Sequence, residues 1–193
     1  MYEYLLFDMD GTLNDSGEGI TKSVQYALRC FGIDEPDLEK LNPFIGPPLV
    51  ESFMNLYGLT REQALTAVKK YRERFTTVGI FENRVYDGIP EMLSSLQATG
   101  KKLIVASSKP EKFVRLILDH FHLAAYFYEV VGATLDEKRT AKIDVIYEVF
   151  NRLGLDGGSA DDRSRVLMIG DRLHDAEGAA QAGIDCVGVY YGY

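Results

Sequence analysis

The chain has 193 residues, a length that suits one domain or one domain with a smaller insert. Hydrophobic residues make up 46% and charged residues 26%, as in an ordinary globular protein. The formal net charge of −8 disfavours a nucleic-acid or anionic-membrane binder, because such surfaces are usually basic. Cys30 and Cys186 give no metal-binding spacing and fit a reducing compartment. With no membrane-length apolar run and no signal peptide, we expect a cytoplasmic protein without membrane or nucleic-acid partners.

The first predicted strand is followed by two carboxylates. Residues 5–7 are apolar and predict a buried strand, and Asp8 and Asp10 come where it should end. Alternate residues of an extended chain point the same way, so both carboxylates can share one site. Their repulsion favours a cation between them, such as Mg2+, which prefers oxygen ligands. Gly11 allows a sharp turn or a close approach to a ligand, although the same residues also suit a strand and a plain polar turn.

Helical patterns occupy the chain from about residue 16 to residue 84. Residues 14–19 are predicted as a loop, residues 34–48 as turns, and Gly58 ends a helix. Thr60 and Gln63 form a capping-box pattern that opens another helix. The apolar positions that predict the three helices are Ile20, Val24, Ala27, Leu28 and Phe31; Leu49, Phe53, Leu56 and Tyr57; and Ala64, Ala67, Val68, Tyr71 and Phe75.

From residue 87 onward, strand and helix patterns alternate. The predicted strands are residues 103–106, 127–131, 166–169 and 186–189. The inward-facing positions on two of the helices are Phe113, Leu116, Ile117 and Phe121, and Ile143, Ile146, Tyr147 and Phe150. Residues 156–164 are predicted as a surface loop. The alternation predicts an α/β fold with a doubly wound, Rossmann-like, parallel five-stranded sheet and helices on both faces.

Polar clusters follow three of the five predicted strands. In such sheets, ligands bind beyond the carboxyl ends of the strands, where the strand order reverses. Three clusters at one edge indicate a convergent site rather than a coincidence of loops. The clusters are Asp8 and Asp10; Ser107, Ser108 and Lys109; and Asp171.

The pattern Asp8-x-Asp10-Gly11-Thr12 resembles the first motif of the haloacid dehalogenase superfamily, in its phosphatase branch and phosphoglycolate phosphatase-like subgroup. Ser107 resembles the second motif, a strand-end Ser or Thr that binds a phosphate oxygen. The plain alternative for this serine is a helix N-cap. The resemblance implies that Thr12 supports the site, and that phosphate is bound by Gly11, Ser107, Ser108 and a lysine.

That lysine is the third motif, near the start of the helix before the fourth strand. Lys142 is the closest match, and Lys138 and Arg139 compete with it; any of them can also belong to a solvated basic helix start. The fourth motif resembles the stretch around Asp171, which would complete the metal site with Asp8 and a backbone carbonyl of Asp10. Asp175 would bind the metal through water or orient Lys142, although both Asp171 and Asp175 also suit helix N-caps. We expect His174 to be exposed.

The resemblance implies a Mg2+-dependent hydrolase of small phosphomonoesters, similar to phosphoglycolate phosphatase or 5′-nucleotidase. Asp8 would attack phosphorus and form an aspartyl-phosphate, and Asp10 would act as general acid and base. The alternatives are a phosphomutase of the beta-phosphoglucomutase type and an inactive phosphate-binding module. The expected partner is a small phosphorylated metabolite, and the expected oligomeric state is a monomer or weak homodimer.

The helical segment resembles the cap that this family inserts after the first motif. The predicted domains are a catalytic core of residues 1–14 and 87–193, and a cap of residues 15–86. Phe44, Gly46 and Pro47 are candidate substrate contacts, or alternatively part of a loop packed in the core of the cap itself. Related proteins usually continue past the fifth strand with another helix, whereas this sequence stops at Tyr193. We expect either a short form or a missing tail.

Overall fold

The computed structural model describes residues 1–136, 138–155 and 160–193. The chain divides into two compact units. The core unit is Met1–Asn14 with Val85–Tyr193, and the helical unit is Asp15–Arg84. None of the helices in the described ranges has the length and apolarity that crossing a membrane requires.

The core and helical units contain seven strands, eight α-helices and three 3-10 helices within the described ranges. The strands are β1 (Tyr4–Phe7), β2 (Asn14–Asp15), β3 (Arg84–Val85), β4 (Lys102–Pro110), β5 (Glu129–Ala133), β6 (Val166–Gly170) and β7 (Asp185–Gly188). The α-helices are α1 (Gly17–Arg29), α2 (Leu49–Tyr57), α3 (Arg61–Phe75), α4 (Ile89–Ala98), α5 (Glu111–His120), α6 (Lys142–Leu153), α7 (Ala160–Ser164) and α8 (Leu173–Ala182). Short 3-10 helices span Glu39–Phe44, Gly79–Phe81 and Ala124–Tyr126.

The main sheet is in the core unit, and it confirms the predicted fold. Its five strands lie in the order β5-β4-β1-β6-β7, and every pairing is parallel. β1 is central, with Leu5 beside Leu103 on one neighbour and beside Leu167 on the other. The chain runs outward from β1 in both directions, so the strand order reverses beside β1. The carboxyl end of β1 is therefore where a ligand is expected to bind.

Buried apolar side chains hold the helices against this sheet. Leu6, Ile104, Val131 and Met168 from the sheet belong to one core cluster. The helical members of that cluster are Val145, Ile146, Val149 and Phe150 of α6 and Ala179 and Ala182 of α8. The small alanines let α8 approach α6 closely, and removal of these surfaces from water is the main stabilising force of the unit.

Some helix faces and boundaries differ from the sequence expectations. Leu116 and Tyr147 were predicted to face inward, but they are 44% and 47% exposed. The predicted Phe113, Ile117, Ile146 and Phe150 are buried, and the stripe is completed on its other side by Val114, Leu118, Val145 and Val149. The predicted loop at residues 156–164 is wrong at its end, where α7 forms. Its residues 156–159 lie outside the described ranges.

The helical unit packs α1, α2 and α3 with a 3-10 helix. Gly58 ends α2 at φ +66°, a left-handed conformation that favours glycine. Thr60 accepts a hydrogen bond from the Gln63 backbone N–H, and the Gln63 side chain accepts one from the Thr60 N–H, which confirms the capping box. The loop predicted at residues 14–19 is wrong, because β2 and the first turn of α1 occupy it.

Candidate active site

Asp8 directly follows β1 and is the centre of the candidate site. Its backbone N–H continues the sheet by donating to the Ile169 carbonyl at 2.9 Å, and its side chain is buried. The next residues form a tight loop, in which the N–H groups of Thr12 and Leu13 both donate to the Met9 carbonyl. Gly11 has φ +84°, and a Cβ placed on it would lie 2.2 Å from Oδ2 of Asp171. Only glycine therefore fits where the first motif meets the fourth.

Lys142, the first residue of α6, is the cation that the structure brings to Asp8. Its buried Nζ lies 2.9 Å from Oδ1 of Asp8 and 2.8 Å from Oδ1 of Asp175. It also donates a hydrogen bond to the Ala106 carbonyl at 2.9 Å. Burial alone would lower the pKa of Lys142, but Asp8 and Asp175 outweigh burial and raise the pKa to about 12. The ammonium therefore stays charged.

The two competing basic residues lie elsewhere. The Lys138 side chain is 84% exposed and pairs with Asp136. Arg139 pairs with Glu111 and Glu148 and donates to the Gly132 carbonyl. Of Lys138, Arg139 and Lys142, Lys142 is the one that reaches Asp8.

Asp171 follows β6, and hydrogen bonds hold both of its carboxylate oxygens. Thr12 Oγ1 donates to Oδ1 at 3.1 Å, and the Tyr193 backbone N–H donates to Oδ2 at 2.9 Å. Burial, and then the negative charge of Asp8, raise the pKa of Asp171 above its ordinary value, although these two hydrogen bonds oppose the shift. The N-cap alternative for Asp171 is not realised, since α8 begins at Leu173.

Asp175 combines a helix-capping contact with a place in the site. Its Oδ2 accepts from the Arg172 N–H at 3.1 Å, while its Oδ1 pairs with Lys142. Burial, and then Asp8, raise the pKa of Asp175 to about 6. Gly170 makes room for this carboxylate, because a Cβ on that glycine would lie 2.2 Å from it.

One carboxylate oxygen each from Asp8, Asp171 and Asp175 lie within 4.8 Å of one another. Burial is the largest cause of the raised pKa values of Asp171 and Asp175, and the negative charge of Asp8 adds to it. A divalent cation would relieve that repulsion, and carboxylate oxygens are the ligands that Mg2+ prefers. The residues present therefore fit a magnesium ion.

The Asp10 side chain forms a second buried ion pair. Its Oδ1 accepts from Lys109 Nζ at 2.7 Å, and both side chains are nearly inaccessible to solvent. Lys109 lies in β4, which continues past its predicted end and has an irregular register between Ser107 and Pro110. Lys109 belongs to a predicted strand-end cluster, but no role is predicted for it from the sequence. The available signal was a lysine directly after two serines at a strand end.

The remaining predicted residues divide between site and surroundings. Ser107 is buried and its Oγ accepts from the Lys109 N–H at 3.3 Å, while Ser108 is partly exposed. His174 is exposed, as expected. Within the helical unit, Phe44 is buried against the rings of Phe53 and Tyr57, at 4.9 and 5.9 Å between centroids. This packing favours the core alternative for Phe44 over a substrate contact, whereas Gly46 and Pro47 are partly exposed.

The fold and the site together define an α/β protein with buried carboxylates and lysines at the carboxyl edge of a parallel sheet. Residues 5–189 match the family model described as haloacid dehalogenase-like hydrolase, and the chain belongs to that family. The predicted family, fold and enzyme class are thereby confirmed.

Individual relatives extend this comparison. Over 192 residues the chain is 49% identical to a 5′-nucleotidase of Pseudomonas aeruginosa, covering 100% of this chain and 84% of that protein. It is 37% identical over 191 residues to tyrosine-protein kinase PtkA of Mycobacterium tuberculosis, covering 99% of this chain but 63% of that protein. The solved structure of a protein described as a predicted phosphatase from Clostridium acetobutylicum superposes with a TM-score of 0.93 at 49% identity. That superposition covers 100% of this chain and 86% of the other.

Proposed function

We propose that this chain is a Mg2+-dependent phosphatase that hydrolyses small phosphomonoesters through an aspartyl-phosphate on Asp8. The observation that carries the proposal is the placement of the buried Asp8 carboxylate, 2.9 Å from the Lys142 ammonium and within one cluster with Asp171. The proposed nucleophile therefore lies beside a buried cation and a candidate metal site. Family membership and the 5′-nucleotidase relative support the same activity.

Asp8 is the proposed nucleophile, because a carboxylate needs no separate base to attack phosphorus. Lys142 holds Oδ1, so Oδ2 is the proposed attacking oxygen. As Oδ2 bonds to phosphorus, the bond from phosphorus to the ester oxygen breaks, and Asp10 gives its proton to that oxygen, which leaves as the alcohol. Water then attacks phosphorus and loses a proton to Asp10, the bond from phosphorus to Oδ2 breaks, and inorganic phosphate is released.

Asp10 must hold a proton in the first step, yet Lys109 pairs with it at 2.7 Å. We expect the phosphate to compete for this ammonium, because a phosphate dianion is the stronger attraction for a buried lysine. Transfer of Lys109 from Asp10 to phosphate would leave Asp10 beside new negative charge, which favours its protonated form. Lys109 is thus a proposed phosphate ligand in addition to Gly11, Ser107, Ser108 and Lys142.

A bound Mg2+ would neutralise negative charge on the phosphate and favour in-line attack. Asp8, Asp171 and the backbone carbonyl of Asp10 are the proposed ligands. Asp175 is proposed to orient Lys142, which its Oδ1 contacts at 2.8 Å, or to bind the metal through water. Thr12 supports Asp171 by its hydrogen bond at 3.1 Å.

The proposed substrates are small phosphorylated metabolites, with nucleoside 5′-monophosphates tested first because of the 49% identical relative. Phosphoglycolate is the second class to test. Residues 15–86 are proposed to act as a cap that restricts substrate choice, with Gly46 and Pro47 as candidate contacts. A cytoplasmic location and a monomeric or weakly dimeric state stay predictions.

The test is a phosphate-release assay on nucleoside 5′-monophosphates, phosphoglycolate, sugar phosphates and p-nitrophenyl phosphate, with Mg2+ or with a chelator. We expect turnover that requires Mg2+ and that falls by roughly 10³-fold or more in Asp8→Asn, because the amide cannot form the covalent intermediate. The matched control is Asp119→Asn, an exposed aspartate of α5 in the same unit, which should behave like the parent.

Ordinary Mg2+-dependent turnover by Asp8→Asn would contradict the proposal. Incubation with glucose 1-phosphate and its bisphosphate covers the phosphomutase alternative, since isomerisation without phosphate release would favour a mutase. The absence of any turnover, despite binding of phosphate, would favour the inactive phosphate-binding module.

Phosphoryl transfer to a protein tyrosine is a second candidate function. The observation that favours it is the 37% identity to PtkA across 99% of this chain. Incubation with ATP labelled at the γ-phosphate separates the two candidates. Label on tyrosine would favour transfer, whereas label recovered as inorganic phosphate would favour hydrolysis.

A further inference from the structure

Three residues after β7 contact the candidate metal site, although no catalytic motif includes them. They are Tyr191, Gly192 and Tyr193, which we call the Tyr-Gly-Tyr clamp. The Tyr193 N–H donates to Oδ2 of Asp171 at 2.9 Å, and the Tyr191 hydroxyl donates to the Thr12 carbonyl at 2.9 Å. The clamp therefore bonds both to the fourth-motif aspartate and to the loop of the first motif.

Gly192 packs without free space between these two elements. A Cβ on Gly192 would lie 2.4 Å from the Asp171 Cβ, 2.5 Å from its Oδ2 and 2.5 Å from the Gly11 carbonyl oxygen. Real Cβ atoms do not approach that closely, so any side chain would displace Asp171 or the Gly11 backbone. Since Gly11 also faces Asp171, with room for no Cβ, the position of this carboxylate is fixed by two glycines.

Aromatic contacts hold the clamp itself in place. The Tyr191 ring packs edge-on against Tyr86, with centroids 4.8 Å apart. The Tyr86 N–H in turn donates to the Leu13 carbonyl at 3.2 Å. The Arg172 guanidinium lies over the Tyr193 ring at 5.7 Å.

We propose that the Tyr-Gly-Tyr clamp is a positioning element that holds Asp171 against the Gly11–Thr12 loop and thereby sets the affinity of the site for Mg2+. The inference rests on the proposed metal site. Thr12 donates to one oxygen of Asp171 and the clamp donates to the other. Together these two hydrogen bonds fix the orientation of the carboxylate and of its remaining lone pairs. Partners of this kind orient metal ligands and tune the metal that they hold.

The test compares Gly192→Ala with Gly188→Ala, because a Cβ on Gly188 in β7 would meet open space. Mg2+ affinity is measured by titration calorimetry, and folding by circular dichroism with thermal melting. We expect Gly192→Ala to weaken Mg2+ binding by roughly 10-fold to 100-fold, the range for lost outer-shell support. Gly188→Ala should keep the parent affinity. Turnover of Gly192→Ala should return close to the parent value at saturating Mg2+.

Tyr191→Phe is the milder variant, since it removes one hydrogen bond and keeps the ring. We expect it to weaken Mg2+ binding by about fivefold, the effect of one ordinary hydrogen bond. If Gly192→Ala does not fold, Tyr191→Phe decides. A folded Gly192→Ala protein, or a Tyr191→Phe protein, with the parent affinity would overturn the clamp but leave the proposed phosphatase in place. A parent protein that takes up no Mg2+ would overturn both the clamp and the proposed metal site.

Discussion

The two units of this protein bury polar groups in different ways. In the helical unit, three buried hydroxyls donate to the backbone carbonyl of the residue four positions earlier in the chain. These pairs are Thr21 with Gly17, Ser23 with Gly19 and Ser52 with Pro48. In the core unit, three buried or partly buried polar pairs join residues that are far apart in the sequence: Asp10 with Lys109, Asp8 with Lys142, and Thr12 with Asp171.

The units also differ in the charge that they bury. Among the described residues, the buried charged side chains are all in the core unit, namely Asp8, Asp10, Lys109, Lys142 and Asp175. A hydroxyl bonded to its own helix costs little to bury, whereas each buried ion carries a desolvation cost of several kcal/mol that its partner offsets only in part. Apolar residues at these positions would stabilise the core unit without this desolvation cost. The concentration of charge at one sheet edge therefore indicates selection for a function.

Removal of Lys142 should have the largest effect on stability. Lys142→Met would leave Asp8 and Asp175 buried without their shared cation, so we expect a loss of about 3–5 kcal/mol in free energy of unfolding. The measurement is urea unfolding in the presence of a chelator. Lys138→Met is the matched control, since that ammonium is exposed, and its effect should stay within about 0.5 kcal/mol. Equal stability of the parent and Lys142→Met would show that burial of these charges costs as little as burial of the hydroxyls in the helical unit.

The alternation of strand and helix predicted the parallel sheet, because buried strands and helical stripes leave strong periodic patterns. The faces of individual helices were harder to predict. Leu116 and Tyr147 each lie next to a buried isoleucine and two positions from a buried valine, and a helix with so many apolar residues does not specify which of them face the core. Neighbouring strands and helices make that choice, and their packing cannot be read from a local pattern.

The candidate site was predicted where a residue type at a strand end carried the signal, as at Asp8 and Asp171. The Lys109 contact was missed because its partner Asp10 is 99 residues away, and strand register alone does not show which side chains meet. The contacts of the Tyr-Gly-Tyr clamp were also missed, because its partners Thr12 and Asp171 lie elsewhere in the sequence. The sequence also left Lys142 open against Lys138 and Arg139, since three basic residues around one helix start differ only in the direction that they face.

The second-largest effect is expected in the pH dependence of stability, which should reflect the buried Asp175 carboxyl group of the core unit. The pKa of Asp175 is raised from 3.8 to about 6 in the folded protein, so folding favours its protonated form. The stability from this group is therefore fully present below about pH 3.8 and is lost as the pH rises through about 6, on the order of 3 kcal/mol at most. Thermal melting with a chelator, from pH 4 to pH 8, should show this fall in the parent.

Asp175→Asn should lack that component of the pH dependence, and Asp119→Asn should keep it. Saturating Mg2+ should stabilise the parent progressively more as the pH rises through the same window, because protons and metal compete for the same carboxylates. Identical pH profiles for the parent and Asp175→Asn would contradict the assignment of the shift to this buried carboxyl group.

The smallest effect is expected in the helical unit, at the start of α3. Thr60→Ala removes the side chain that accepts from the Gln63 N–H at 3.3 Å, so we expect a loss of about 1 kcal/mol. For a chain of this size, that corresponds to a fall of about 2–4 °C in melting temperature. Thr66→Ala, an exposed threonine within the same helix, is the control and should change stability less. Mg2+ affinity should be unchanged in both variants, because the Thr60 contacts are local. A change in Mg2+ affinity caused by Thr60→Ala would mean that the helical unit influences the metal site. The local polar pairs of the helical unit would then have a functional role as well as a structural one.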